Sequence, residues 1–252
     1  MKIGFTTMAT PGMSVEDIVS EAVNYGFDGV DLRVRVDGEI TEKVTVRRAN
    51  EIRKIFGKTE ISSLMCYNYT LSEGADKMKD SILNLLNVAR RLKVKNIRVF
   101  TGKIESDEYL ENTAMVINEV FKEYDDDINL LFQNHAGNGL SCQQALKLSE
   151  MIDDKRWGFI FSPDECFKAK EDYIPLIPEI VKITRQVYIA DMTRDGKYCL
   201  IGKGVIPLKT VVKELYANGY DGYLSLKWEK IWCDYLEDYK EAFDSFKNYL
   251  KL

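Results

Sequence analysis

Short apolar runs rich in β-branched and aromatic residues alternate along the whole chain with longer segments whose apolar residues recur every three or four positions. The short runs predict strands, and the longer segments predict amphipathic helices. The helical spacing is clearest over Met78, Ile82, Leu85, Leu86, Ala89 and Leu92. Parallel strands need crossover helices, and eight strand–helix units can close a sheet. The pattern therefore predicts an α/β fold, a single (β/α)8 TIM barrel that spans residues 1–252 as one domain. An open doubly wound sheet is the alternative, although it normally uses fewer units.

The predicted boundaries follow from these runs. Strands are expected at 3–6, 29–33, 61–66, 96–100, 129–133, 157–162, 186–191 and 223–227. Helices are expected at 14–25, 44–55, 78–92, 109–124, 142–152, 173–183, 207–217 and 235–250. A repeated Asn, Gly and Asp-Gly phrase at 24–29 and 218–222 predicts two helices that end on a glycine before a strand begins. Ser14, three residues before Asp17, predicts an N-cap of the capping-box type.

Composition and charge exclude several classes of protein. The chain has 252 residues and a formal net charge of -5, which disfavours a nucleic-acid partner because neutralising phosphates requires clustered Lys and Arg. The N-terminus does not resemble a signal peptide, and no apolar run approaches the ~20 residues of a membrane span. These features predict a cytoplasmic protein without a membrane partner. Its five cysteines are scattered along the sequence, which predicts reduced thiols rather than a disulfide framework or a thiolate zinc site.

Candidate functional residues lie where the predicted strands end, because barrel chemistry occurs at that end of the strands. The side chains at or just after these ends are Asp31, Arg33, Cys66, Tyr67, Arg98, Gln133, Asn134, His135, Ser162, Asp164, Glu165, Tyr188, Asp191, Lys227, Trp228 and Glu229. His135 is the only histidine, and therefore the only side chain expected to titrate near neutrality without perturbation.

Five short sequence motifs, in order along the chain, resemble motifs of a known family. They are LLFQNH at 130–135, FSP at 161–163 with Glu171-Asp172 downstream, VYIAD at 187–191, GKGVI at 202–206 and LSLKWE at 224–229. The chain resembles the xylose isomerase-like TIM barrels, which include sugar phosphate isomerases and epimerases, tagatose-type 3-epimerases and inosose dehydratase. The resemblance covers essentially the whole chain.

The same resemblance implies a metal site that this chain has altered. The family typically holds one divalent cation (Mn, Mg, Zn or Co) with Glu, Asp, His and Glu on the fifth to eighth strands. The matching positions here are Gln133, Ser162, Tyr188 and Lys227. Hard divalent ions need carboxylate or imidazole ligands, and an ammonium would repel the ion. We therefore expect no metal or other cofactor at this site. Asp164, two residues beyond Ser162, is the alternative match to the family Asp.

Charge at these positions indicates the kind of ligand. Three neutral side chains and a protonated Lys227 sum to about +1, whereas three carboxylates and a divalent cation sum to about -1. A small anionic or sugar-like substrate is therefore expected. Lys227 either polarises a carbonyl, attacks one as a Schiff-base lysine if its pKa is lowered, or simply pairs with Asp191 or Glu165. The predicted catalytic residues are Lys227, Tyr188, His135 and Gln133. The predicted substrate-binding residues are Asn134, Ser162, Glu165, Asp191, Arg33, Tyr67 and Trp228.

Two functions remain open from the sequence. The first is a sugar isomerase or epimerase-like enzyme, or a related lyase, that acts on a sugar, polyol or keto acid without the family's metal. The alternative is a catalytically inactive barrel that binds a small anionic metabolite or a partner subunit. A homodimer is possible in either case. An abasic-site endonuclease of the same superfamily fits poorly. Those enzymes look rich in metal and histidine, whereas this acidic chain has one histidine.

Overall fold

Eight parallel strands close into a barrel in the computed structural model, which describes residues 1–250. The barrel strands are β1 (Lys2–Thr6), β2 (Gly29–Arg33), β3 (Glu60–Met65), β4 (Asn96–Val99), β5 (Asn129–Gln133), β6 (Trp157–Phe161), β7 (Thr184–Ile189) and β10 (Tyr223–Leu226). Strand β1 pairs with both β2 and β10, and these two pairings close the sheet. The predicted (β/α)8 barrel is confirmed.

Helices cover the outside of the barrel between successive strands. They are α1 (Val15–Tyr25), α2 (Val46–Phe56), α3 (Ala75–Leu92), α4 (Asp107–Glu123), α5 (Cys142–Met151), α6 (Pro163–Ala169), α7 (Ile177–Ile180), α8 (Leu208–Ala217) and α9 (Tyr239–Leu250). Short 3-10 turns occupy Thr7–Ala9, Leu71–Glu73 and Ile174–Leu176. Within residues 1–250, none of these helices is both long and apolar enough to cross a membrane.

The start and end of α1 show how local chemistry sets the element boundaries. The Ser14 hydroxyl accepts a hydrogen bond from the Asp17 backbone N–H at 3.1 Å, as an N-cap does. The Asp17 carboxylate accepts a hydrogen bond from the Ser14 hydroxyl at 2.7 Å. In a complete capping box it would instead accept one from the Ser14 backbone N–H. Gly26 ends the helix in the left-handed conformation with φ 65°, and Gly219 has φ 83° in the corresponding phrase. Both predicted glycine stops are confirmed.

Two predicted elements were wrong in the last third of the chain, a third began too early, and one helix was missed. The helix expected at 235–250 begins at Tyr239. The helix expected at 173–183 is a 3-10 turn followed by the four-residue α7, because Pro175 and Pro178 have no N–H to donate. The strand expected at 186–191 ends at Ile189. Asp191 instead begins a small antiparallel hairpin, β8 (Asp191–Met192) with β9 (Tyr198–Cys199). Helix α6, directly after β6, was not predicted.

Two cysteines that are distant in sequence meet in the fold, although all five cysteines are free thiols. Cys142 opens α5 and Cys166 lies in α6, and both are fully buried. Their sulfur atoms are 3.5 Å apart. They meet because the helices of successive units begin at the same end of a parallel barrel.

A largely buried aromatic cluster attaches α9 to β1 and to the turn between α1 and β2. The Phe243 ring lies 4.6 Å from the Phe5 ring and 4.9 Å from the Phe27 ring, measured between centroids. It also contacts Tyr25 and Tyr239 at 5.1 and 5.4 Å. The last helix thereby covers the seam where β1 and β2 meet.

We expect the substitution Phe243→Ala to lower the free energy of unfolding by about 3–5 kcal/mol, because it leaves a cavity where ring contacts were. Urea denaturation would measure the change. Met115→Ala is the matched control, since Met115 is 61% exposed on α4 and should change stability by less than about 0.5 kcal/mol. A loss below about 1 kcal/mol for Phe243→Ala would contradict a packed α9.

Candidate active site

A buried ion cluster forms at the carboxyl-terminal end of the barrel strands, here called the mouth. Lys227 follows β10, and its backbone N–H donates to the Ile189 carbonyl at 2.8 Å. Its ammonium Nζ lies 2.6 Å from Asp164 Oδ2 and 2.7 Å from Glu165 Oε1. Glu229 Oε1 is 3.6 Å away. The expected contact with Glu165 is present, and Asp164 rather than Asp191 is the second partner.

Helix α6 supplies both carboxylates of this cluster. Ser162 precedes the helix and Pro163 occupies its first turn, where a missing N–H costs nothing. Asp164 and Glu165 follow at once, and acidic side chains are favourable in a first turn. The Ser-Pro-Asp-Glu phrase at the end of β6 therefore starts a helix and directs two acids toward the mouth.

The ionisation of the cluster follows from burial and mutual attraction. Burial opposes the charge on Lys227, but Asp164 and Glu165 outweigh it and raise the pKa of the ammonium well above its usual value. Burial likewise opposes the charge on Glu165, but Lys227, His135 and Lys168 hold the pKa of that carboxyl well below its usual range. A Schiff-base role requires a lowered lysine pKa, and the two carboxylates shift the pKa of Lys227 in the opposite direction, which disfavours that role.

A cavity of about 220 Å³ opens at the mouth beside this cluster. Five of the predicted site residues line it: Tyr67, Gln133, His135, Glu165 and Lys227. The remaining lining residues are Met8, Arg98, Phe100, Lys168, Tyr198, Glu229, Trp232 and Cys233. The space suits a small metabolite.

Arg98, at the end of β4, is the most unusual group on the cavity wall. It is 3% exposed, and it forms no ion pair with any carboxylate of residues 1–250. One guanidinium nitrogen donates to Gln133 Oε1 and another to the Cys66 carbonyl, each at 3.2 Å. Its carbon Cζ lies 4.9 Å from the Tyr67 ring centroid and 4.5 Å from that of Phe100. The guanidinium is thus held in place without a counter-ion.

Two titratable side chains, Glu229 and His135, line the same cavity. Glu229 is 13% exposed, and burial raises the pKa of its carboxyl although Lys227 opposes the change. His135 packs edge-on against Phe100, and burial lowers the pKa of its imidazole although Glu165 opposes the change. The buried His135 Nδ1 has no hydrogen-bond partner within residues 1–250. The pKa of Glu229 therefore moves toward neutrality, whereas the pKa of His135 moves further below it.

Comparison with known proteins identifies the family. The model of the family described as xylose isomerase-like TIM barrel matches residues 19–249. The chain belongs to this family. It is 21% identical over 122 residues to an inosose dehydratase from Geobacillus thermodenitrificans, a match that spans 41% of this chain and 41% of that protein. The following solved structures share the fold.

A D-psicose 3-epimerase from Clostridium cellulolyticum H10, determined with D-tagatose, has a TM-score of 0.79 and 14% identity over 98% of each chain. A probable 3-DHS dehydratase from Bacillus anthracis has a TM-score of 0.76 and 17% identity over 98% of this chain and 99% of that one. These relatives are named as epimerases and dehydratases, which supports an enzyme in general.

The side chains at the family's four metal positions do not fit a divalent cation in this xylose isomerase-like barrel. The Gln133 amide oxygen accepts from Arg98, and the Gln133 amide nitrogen donates to the Ser162 hydroxyl at 3.2 Å. Tyr188 is buried below the mouth and Lys227 brings an ammonium. Ser162 contacts Gln133, and Asp164, the alternative match to the family Asp, is already paired with that ammonium.

Three predicted catalytic or binding residues lie next to the site but do not line the cavity. Tyr188 is fully buried with Leu131 and Ile160 inside the barrel, and its hydroxyl has no partner within the described chain. The Asn134 amide binds the backbone N–H and carbonyl of Ser162 at 2.7 and 2.9 Å. Asn134 and Ser162 therefore join the ends of β5 and β6, a contact that positions the site.

The Asp191 carboxylate organises a loop of this barrel instead of contacting Lys227. It accepts four backbone N–H groups, from Met192, Gly202, Gly204 and Ile206, at 2.9 to 3.2 Å. A Cβ at Gly204 would lie 2.1 Å from Asp191 Oδ1, so the glycine permits this close approach. The Gly-x-Gly phrase at 202–204 and Asp191 are thus in direct contact with each other, and that contact is structural.

Arg33 and Trp228 are likewise occupied by protein groups away from the cavity. The Arg33 guanidinium donates to the Asp37 carbonyl at 2.9 Å and lies 3.6 Å from Glu39. The Trp228 ring is 1% exposed and donates to the Glu237 carbonyl at 3.1 Å. Direct substrate contact by these two side chains finds no support in the structure.

We expect Lys227→Met to lower the free energy of unfolding by about 3–5 kcal/mol near neutral pH, because the buried Asp164 would lose its ion-pair partner and Glu165 would keep only Lys168. Urea denaturation would measure the change. Lys182→Met is the control, because Lys182 and Glu179 form an exposed pair at 2.7 Å that should contribute less than about 1 kcal/mol.

The difference in the free energy of unfolding between wild type and Lys227→Met should depend on pH in a definite direction. The folded-state pKa of Glu165 is lowered, so its stabilisation is present above the usual Glu value of about 4.3 and is lost as the pH falls toward the folded value. The folded-state pKa of Lys227 is raised, so its stabilisation is present below about 10.4 and is lost as the pH rises through the folded value. The difference between wild type and Lys227→Met should therefore shrink below about pH 4, where the variant's carboxyls take up protons. A constant difference down to about pH 3 would contradict the ion cluster.

Proposed function

We propose that the mouth cavity binds a small carbonyl compound with an anionic group, such as a keto acid or an acidic sugar derivative. There it transfers a proton at the carbon next to the carbonyl. This is the step that isomerases, epimerases and dehydratases of such compounds share. One observation carries the proposal: the unpaired, buried Arg98 and two proton-transfer groups border a single cavity.

The anionic part of the substrate follows from the charge on Arg98. A buried charge is costly unless it is paired, and stacking on two aromatic rings offsets that cost only in part. Lys227 and Lys168 also line the cavity, but each already contacts the carboxylate of Glu165, at 2.7 and 2.9 Å. A carboxylate or phosphate bound at Arg98 would supply the missing counter-ion through strong charge-assisted hydrogen bonds.

Glu229 is the proposed base. A general base is most effective when its pKa lies near the working pH, and burial moves the pKa of Glu229 in that direction. Its nearest cation, the Lys227 ammonium, is 3.6 Å away, beyond a close hydrogen bond. The carboxylate therefore remains free to take a proton from a bound substrate. His135 is the proposed partner that returns a proton or binds a substrate hydroxyl, through either ring nitrogen.

Lys227 is the proposed electrostatic stabiliser. An ammonium has three N–H groups, and Asp164 and Glu165 take two of them at bonding distance. The third is available to the oxygen of an enolate, where negative charge develops as the proton leaves. Gln133, held by Arg98 and Ser162, provides a neutral amide beside the same space.

The other candidate function is an inactive barrel that binds an anionic metabolite. The observation that favours it is that two carboxylates neutralise Lys227, because this pairing alone explains the lysine as a structural residue. The two candidates differ only in turnover. The names of the similar epimerases and dehydratases favour the enzyme.

We expect keto acids to raise the melting temperature of the wild-type protein more than neutral ketoses of the same size, because binding to the native state stabilises it. In Arg98→Gln that preference should disappear, whereas Arg194→Gln, which changes an exposed arginine, should retain it. Thermal unfolding against a matched panel of both ligand classes would measure this. Stabilisation by neutral ketoses alone would show that Arg98 does not select the substrate.

Proton transfer is tested by exchange with solvent deuterium, observed by NMR at the carbon next to the carbonyl of each ligand that binds. Glu229→Gln should slow exchange by about 10²–10⁴-fold, while Glu237→Gln, an exposed acid nearby, should not. In the wild type the rate should rise through a pKa above the usual Glu value of about 4.3. Binding without any exchange in the wild type would instead establish the inactive barrel.

A further inference from the structure

Beside the mouth, three possible metal-ligand side chains meet in a separate cluster that the proposed reaction does not use. They are Cys142 at the start of α5, Cys166 within α6, and Glu171 just beyond α6. Among residues 1–250, one ligand atom from each lies within 4.8 Å of the other two. We propose that this cluster binds a single divalent cation of the zinc type.

The distances suit such an ion. Zinc takes thiolate sulfur at about 2.3 Å and carboxylate oxygen at about 2.0–2.2 Å in a tetrahedral arrangement, which places two sulfur ligands about 3.8 Å apart. The sulfur atoms of Cys142 and Cys166 are 3.5 Å apart. A shift of the two sulfur atoms by a few tenths of an ångström would therefore give them the spacing of two zinc ligands. Two sulfurs and one oxygen select zinc or cadmium over magnesium, calcium or manganese.

One outer hydrogen-bond donor supports a thiolate at Cys166, and a neighbouring cavity leaves room for a fourth ligand. The Asn134 amide donates to Cys166 Sγ at 3.2 Å, and such outer donors stabilise a ligand's charge. Glu171 also lines a cavity of about 120 Å³ with Ser141 and Gln144, which is large enough for water. This cavity borders Glu171 and Asn134, the side chains next to the sulfur atoms, and a water molecule in it would serve as the fourth ligand.

Binding requires both cysteines to lose their protons. The hydrogen bond with Cys142, together with burial, raises the pKa of the Cys166 thiol, so the ion must displace its proton. The ion would displace two protons to solvent, with no change of oxidation state. Because Cys166 belongs to the helix that carries Asp164 and Glu165, the bound ion would fix α6 to the start of α5.

The test uses the full chain freed of metal by a chelator and kept reduced with a phosphine, with Co2+ as the probe. We expect one Co2+ per chain, with the thiolate-to-cobalt charge-transfer band and the strong visible bands of tetrahedral cobalt. Cys142→Ser and Cys166→Ser should abolish the charge-transfer band, and Glu171→Gln should weaken binding. Cys199→Ser and Cys233→Ser are controls that should bind as the wild type does.

A second measurement keeps the proposal testable if the buried variants fail to fold. X-ray absorption of the zinc-loaded wild-type protein should show two sulfur neighbours at about 2.3 Å and lighter atoms completing the shell. A shell without sulfur, or a wild type that shows no thiolate-to-cobalt band, would overturn the proposal. So would a charge-transfer band that survives in folded Cys142→Ser.

Discussion

The buried ammonium of Lys227 is the constraint on which the mouth of this barrel depends. A charge that is almost completely removed from water must be compensated by nearby anions, and Asp164 and Glu165 meet it at 2.6 and 2.7 Å. Those two acids are presented by a helix of only seven residues that begins directly after β6. The end of β10 and the first turn of α6 are thereby tied together across the mouth. The position of Glu229 and the shape of the cavity follow from that contact.

Most of the fold was predictable because barrel strands and outer helices leave strong periodic signals. Strands β2 and β5 match their predicted bounds, and the glycine stops at Gly26 and Gly219 follow from backbone freedom alone. The errors fall on short elements. Helix α6 and the β8–β9 hairpin are too brief for a periodic pattern, and tertiary contacts such as the four backbone N–H groups bound by Asp191 stabilise them.

The site was predictable only in part, because a position at a strand end does not reveal where a side chain points. Gln133, His135 and Lys227 reach the cavity, whereas Tyr188 points into the closed barrel. The sequence shows Arg98 as a charged residue between the apolar Ile97 and Val99 of β4, but the lack of a carboxylate partner is a property of the whole fold. The sequence did not distinguish Glu229 from other acidic residues at the strand ends, because an acid after a strand is common at barrel mouths. The contact between Cys142 and Cys166 joins two different units, so no local spacing reveals it.

The central claim is that an ammonium, rather than a divalent ion, supplies the positive charge at the mouth. Titration of the chelator-treated protein with Mn2+, followed by electron paramagnetic resonance, tests this claim most directly. Mn2+ prefers oxygen ligands, so it reports on the carboxylates of the mouth rather than on the thiols of Cys142 and Cys166. The account predicts that the signal of free Mn2+ persists at a ratio of one ion per chain. Loss of that signal at stoichiometric Mn2+ in the wild type, with its return in Asp164→Asn, would show that the ion displaces Lys227 and would contradict the account.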